Sequence, residues 1–274
     1  RRFGIRVAPI IITYDGKTVR EHFDITPEEY WKVLKEVRDI PVTSQVTAPV
    51  FWELYEQAEA EGHTHMLGIL INGKGSGTFQ NACTARNAYQ KEKGRGMTIE
   101  LIDSALYSQL YGHVVTLCCK MRDAGKPFDE IVSVAKARLQ ASRGYLGMYT
   151  LRFLKKSGRI PSGAAFVGEA LGVRPIALVR DGEVKLVRKV RGAKNVVPAI
   201  IEEAQKTICK ETPQHIGVFY SDVPDSEVRR LEDAAVAAFR PESIARYPMG
   251  AAVCTNAGPN AIALCFYDRP VPPV

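Results

Sequence analysis

The stretch "HMLGILINGKGSGTFQNACTARNAYQ", residues 65–90, runs from an apolar segment through a glycine-rich loop into a helical pattern. The segment "HMLGILI" has the texture of a strand buried on both faces, the kind that parallel sheets contain. A strand that passes directly into a helix is one βα step, and such a strand requires parallel neighbours and covering helices. The loop between them presents backbone N–H groups at the positive end of a helix dipole, a setting suited to an anion.

The flanking sequence repeats the alternation. Toward the N-terminus, "IRVAPIIITYDGKTV" predicts two strands around an Asp15-Gly16 turn. "ITPEEYWKVLKEV" predicts a helix with Thr26 as N-cap, Pro27 at its first position and Glu29 completing a capping box. "APVFWELYEQAEAEG" predicts an amphipathic helix with Phe51, Leu54, Tyr55 and Ala58 on one face. Toward the C-terminus come strand "MTIELID" and helices "ALYSQLYGHVVTLCCKMRDAG" and "PFDEIVSVAKARLQASRG".

After "YLGMYT" the pattern becomes mixed. "RPIALVRDGEVKLVRKVRG" reads as a long hairpin turning at Asp181-Gly182, followed by helices interleaved with strands "HIGVFYSD", "SIARYPMG" and "AIALCFYD". The fold expected is α/β with two tightly packed domains. Residues 1–150 form an N-terminal parallel sheet with helices on both faces, and residues 151–274 a C-terminal mixed sheet with helices. The start "RRFGIRVAPIIITYDGK" reads like chain entered in mid-domain, as though a first strand were missing.

Composition bounds the function. At 46% hydrophobic and 24% charged, the 274 residues have ordinary globular composition. The net charge of +7 is spread along the chain rather than gathered with aromatics, which argues against nucleic acid. No apolar run approaches the ~18 residues of a membrane span. The six cysteines include no CxxC pair and no histidine at ligand spacing, so they read as reduced thiols of a cytoplasmic protein, without metal or cofactor.

The loop itself admits several occupants. "GILINGKG" resembles GxxxxGK(S/T), but Gly75 replaces the hydroxyl that would hold magnesium. "GKGSG" is not GxGxxG, and Asp103 is poorly placed for a ribose. The plainest alternative is a tight turn in which glycines permit positive φ. A carboxylate gains from two further stretches. "TSQ" places Thr43, Ser44 and Gln45 ahead of a helix, and "TNAGPN" places Asn256, Gly258 and Pro259 in a turn before the last strand. Hydroxyls, amides and backbone N–H groups bind a carboxylate without a full counter-charge.

Taken in order, "DGKTVREHFDITPEEYWKVLKE", "TSQVTAPVF", "SGTFQNA", "TLRFLKKSGRI", "GVRPIALVRDGEVKLVRKVR" and "AGPNAIALCFY" resemble the DegV family over essentially the whole chain. The resemblance implies a protein that is not an enzyme but a carrier enclosing one long-chain fatty acid. The tail would be buried in the C-terminal domain and the carboxylate would sit where the domains meet. In some members a fatty-acid kinase subunit is the partner that phosphorylates that carboxylate. The resemblance also implies that the family's first strand is absent here.

Residue by residue, Thr43 and Ser44 match the hydroxyls that reach the carboxylate, and Ser76, Gly77 and Thr78 match the family's Ser-Gly-Thr. Arg159 and Arg191 match basic positions that face the phosphorylation site or partner. Two departures stand out. Asn72 and Gly73 replace a Ser-Ser pair whose second hydroxyl contacts the carboxylate, and Asn256 replaces a histidine. Asn donates a hydrogen bond but carries no charge. The Gly73 and Lys74 N–H groups or the Lys74 ammonium are expected to compensate. The alternative is a pocket retuned to another amphiphile or a shorter acid. An enzyme using Asp24 or Asp103 is less well supported, because neither has a partner at catalytic spacing.

Overall fold

The first turns of the chain form where the sequence places them. In the computed structural model, which describes residues 3–94, 96–150, 152–153, 158, 172–208 and 215–267, Asp15 and Gly16 have φ of 45° and 73°. They join β1 (Ile11–Tyr14) to β2 (Lys17–Arg20). Positive φ at both central residues is the type I′ geometry that matches strand twist. β3 (Val42–Ser44) pairs antiparallel with the other side of β1, making a three-stranded sheet. Helix α1 (Pro27–Glu36) starts on its capping box. The Glu29 N–H donates to the Thr26 hydroxyl at 3.3 Å, and the Thr26 N–H donates to the Glu29 carboxylate at 2.9 Å.

β4 (His65–Leu70) and β5 (Thr98–Asp103) are the parallel pair, in register from His65 opposite Thr98 to Leu70 opposite Asp103. Successive side chains leave opposite faces of a strand. Met66, Leu70, Ile99 and Leu101 pack on α2 (Ala48–Ala60) and α3 (Thr78–Lys93). Leu67, Ile69 and Ile102 pack on α4 (Gln109–Asp123) and α5 (Phe128–Ala141). Helices therefore cover both faces of the parallel pair.

A six-stranded mixed sheet makes up the rest, in the order β10-β9-β11-β6-β7-β8. Its strands are β6 (Ser142–Met148), β7 (Val173–Arg180), β8 (Glu183–Arg191), β9 (His215–Tyr220), β10 (Ser243–Pro248) and β11 (Ala261–Tyr267). β9 and β10 run parallel and the other neighbours antiparallel. All seven residues of β11 are buried. Ile262, Leu264 and Phe266 face a core built with α6 (Val196–Gln205) and α7 (Asp225–Phe239). Ala261, Ala263, Cys265 and Tyr267 face the core shared with α1, α4 and the short α8 (Ala251–Ala257).

Two sequence expectations shift. The helix read through Gly144 stops at Ala141, and the next seven residues enter the centre of the large sheet. Asn256 lies in the last turn of α8 rather than in a turn, and the chain reverses one step later at Gly258, whose φ is 92°. Among the described residues no helix is long and apolar enough to cross a membrane, and the five described cysteines are free thiols, four of them buried.

Candidate functional site

The carboxyl ends of β4 and β5 open into two loops, residues 71–77 and 104–108. Crevices at such strand ends are where open α/β sheets place ligands. A cavity of about 440 Å³ lies here, between these loops, β3, α8 and one face of β6–β8. That volume lies in the ordinary range for small-molecule sites. Thr43, Ser44, Gln45, Lys74, Ser76 and Asn256 supply its polar wall, while Ile71, Leu146, Met148, Val179, Val184 and Val253 supply much of the apolar one.

The glycines of the loop are there for close approach. None of Gly73, Gly75 and Gly77 has positive φ, contrary to the tight-turn expectation. A Cβ on Gly73 would meet the Asp103 carboxylate, one on Gly75 the Tyr107 hydroxyl, and one on Gly77 the Gln45 amide. Each glycine thus lets a different side chain lie against the loop. Two side chains of α3 fasten the opposite wall. The Val46 N–H donates to the Thr78 hydroxyl at 3.2 Å, and the Asn81 amide donates to the Val46 carbonyl at 2.7 Å. Thus the Thr-Ser-Gln and Ser-Gly-Thr stretches, far apart in sequence, form adjoining parts of one wall.

The structure gathers Thr43, Ser44, Gly73, Ser76 and Asn256 around the cavity. Thr43 is half-buried and Ser44 exposed. Ser76 and Thr78 share a hydrogen bond at 2.9 Å, and the Thr78 N–H donates to the Ser76 hydroxyl at 3.3 Å. Two hydroxyls joined by one bond retain one hydrogen for another acceptor, and Ser76 is the member that lines the cavity. The Asn256 Nδ2 donates to the Ala252 carbonyl at 2.9 Å, which orients its amide on the helix.

Asn72 is not among the lining residues. It is 1% exposed, and its Nδ2 donates to the Tyr107 hydroxyl at 2.7 Å and to the Gly182 carbonyl at 3.0 Å. Its Oδ1 accepts from the Lys74 N–H at 3.1 Å. Gly182 in turn donates its N–H to the Ala105 carbonyl at 2.9 Å. Asn72 therefore ties both loops to the tip of the β7–β8 hairpin. Arg191 is exposed at the far end of β8, away from the hairpin turn. Arg159 lies outside the described residues.

The expected backbone compensation is absent. The Gly73 N–H donates to Asp103 Oδ1 at 2.9 Å and the Lys74 N–H to Asn72, so neither is available to a ligand as the loop stands. Asp103 also accepts from the Ala105 N–H at 2.9 Å, so it organises the two loops and is committed there. Lys74 is the one charged side chain among the described lining residues. Its ammonium sits 3.3 Å from the Asp181 carbonyl and 3.9 Å from Glu183, with the side chain 65% exposed. An exposed pair of this kind holds it weakly, leaving it able to turn to a ligand. Tyr107 and the aliphatic wall were not singled out from sequence. Tyr107 follows the carboxyl end of a parallel strand, which is a positional signal; the aliphatic lining looks like core until the sheet face is known.

The DegV family model matches residues 1–269. A DegV domain-containing protein of Caldanaerobacter subterraneus subsp. tengcongensis is 29% identical over 269 residues, covering 98% of this chain and 93% of that one. A solved fatty acid binding DegV family protein from Streptococcus agalactiae has a TM-score of 0.83 at 25% identity, covering 97% of this chain and 92% of its own. The Streptococcus pneumoniae fatty acid kinase B3 protein, solved loaded with linoleic acid, has a TM-score of 0.83 at 17% identity, covering 96% and 90%.

Proposed function

We propose, for a chain that belongs to the DegV family, that it binds one long-chain fatty acid as a cytoplasmic carrier and performs no chemistry of its own. The observation that carries this reading is one cavity with a polar wall of hydroxyls and amides and an apolar wall of sheet residues. The carboxylate takes hydrogen bonds from Thr43, Ser44, Ser76 and Asn256, with Lys74 as its nearest counter-charge. The tail runs along Leu146, Met148, Val179 and Val184. A carboxylate leaving water needs such donors. Each buried CH₂ contributes about 0.8 kcal/mol, so about fifteen supply roughly 12 kcal/mol before ordering costs.

The likeness to a fatty acid kinase B3 protein supports a kinase subunit as the partner. Arg191 and Arg159 would serve that encounter rather than hold the acid. Asn256 offers a neutral amide at the headgroup, so it can bind the carboxylate but cannot carry a proton between acid and partner. A second reading rests on the Gly73 N–H being engaged by Asp103: with fewer donors, the site would accept another amphiphile or a shorter acid. Displacement of a fluorescent fatty acid by saturated acids of increasing length separates the two. Affinity should rise about fourfold per CH₂ until the cavity fills. A best competitor of eight carbons or fewer, or an equal response to fatty alcohols, would favour the second reading.

A further inference from the structure

We infer that Glu183 sets how strongly this site selects an acid, because its carboxylate and the ligand's compete for the Lys74 ammonium. The inference rests on the fatty-acid reading above and extends it to a residue outside the cavity wall. Every other polar side chain on the described wall is a neutral hydroxyl or amide. Such groups bind neutral alcohols as well as anions, so discrimination by charge falls to Lys74. What holds Lys74 elsewhere therefore tunes the site.

The hairpin tip supplies that hold. The Lys74 N–H donates to Asn72 Oδ1 at 3.1 Å, which fixes the base of the side chain at the loop. Its stem then crosses Gly182, where a Cβ would lie 3.1 Å from Lys74 Cδ and 3.4 Å from Cε. The bare glycine leaves room for the stem to swing. At the end of that path the ammonium lies 3.3 Å from the Asp181 carbonyl oxygen and 3.9 Å from the Glu183 carboxylate. The Asp181 carboxylate is taken by Arg180 at 3.0 Å, whereas Glu183 has no other ion pair among the described residues. Val184 lines the cavity, and side chains alternate along a strand, so Glu183 stands on the hairpin's other face and draws the ammonium outward. Both side chains are well exposed, 65% and 70%, and a pair of that kind is weak enough to exchange. The tip needs no rearrangement when Lys74 turns to an acid, because the bonds from Asn72 to the Gly182 carbonyl and from the Gly182 N–H to Ala105 keep it docked.

The test is Glu183→Gln in the full chain, delipidated and titrated with palmitic acid and with hexadecanol at about 0.15 M salt, where longer-range charge effects are screened. Removing the competitor should tighten acid binding about two- to fivefold and leave hexadecanol where it was. With Lys74→Met in place the same change should do nothing, since no ammonium is left to release, whereas Lys74→Arg should keep the response. An acid-to-alcohol ratio that Glu183→Gln does not move would overturn the inference and leave the fatty-acid reading intact. So would equal tightening of acid and alcohol, which would make Glu183 a structural residue, or an equal gain with methionine at position 74, which would make it a general field effect. A parent chain that binds neither palmitic acid nor hexadecanol would overturn both the inference and the reading beneath it.

Discussion

Single residues line the cavity's polar wall, and they differ in how readable they are. Thr43 sits on an edge strand and lines the cavity. Thr43→Val keeps its shape and removes the donor, so it should weaken fatty-acid binding about tenfold; equal affinities by displacement titration would remove Thr43 from the site. The hydroxyls were legible because short motifs bring them together. The glycines were legible as a loop but not as close approaches, because what each one accommodates, Asp103, Tyr107 or Gln45, lies elsewhere in sequence. Away from the cavity, His113 stacks on Tyr267 with ring centres 4.1 Å apart. Burial, reinforced by the neighbouring His215, Arg138 and Lys120, depresses its pKa to about 4. The unfolded chain binds this proton near pH 6.5 and the folded chain does not. Its contribution is therefore flat above about pH 6.5, and stability falls as pH drops from there toward 4. The effect reaches at most about 2 kcal/mol at pH 5. His113→Phe keeps the stacking and should flatten this part of the urea-midpoint profile; identical profiles for the two chains would contradict the assignment.

At the scale of elements, the β7–β8 hairpin braces the two loops at the cavity's polar end. Its tip meets Ala105, Asn72 and Lys74 at once. Gly182 needs its φ of 77°, and a Cβ there would lie 3.1 Å from Asn72 Oδ1 and Lys74 Cδ. Gly182→Ala should cost about 1–2 kcal/mol, lower the thermal midpoint by several degrees, and loosen fatty-acid binding. A neutral midpoint would show the tip to be unimportant. The hairpin was legible from its Asp-Gly turn, and α1 from its capping box, because both signals are local. β6 was not. Its sequence "SRGYLGM" holds two glycines, which weaken any strand pattern. The structure gives their purpose: at Gly144 a Cβ would press on Cys265 and Leu110, and at Gly147 on Val196 and Ile200. The helices can approach the sheet because those side chains are missing, a tertiary reason that no local reading reaches.

The whole molecule builds the cavity by bringing the strand ends of the parallel pair and β3 against one face of the six-stranded sheet. The alternation of strands and helices, and the mixed second sheet, could be read from hydrophobic period alone. The cavity's apolar wall could not, since Leu146, Met148, Val179 and Val184 have the composition of any core and face a cavity only because of where β6–β8 lie. The proposed function requires this space to hold one fatty acid. The most direct measurement is native intact mass of the purified protein, followed by denaturing extraction and mass spectrometry of what is released. One long-chain fatty acid per chain is expected, lost on denaturation and restored by adding acid to the delipidated protein. A chain that carries no acid and takes none up, or that releases a stoichiometric amphiphile of another class, would contradict it.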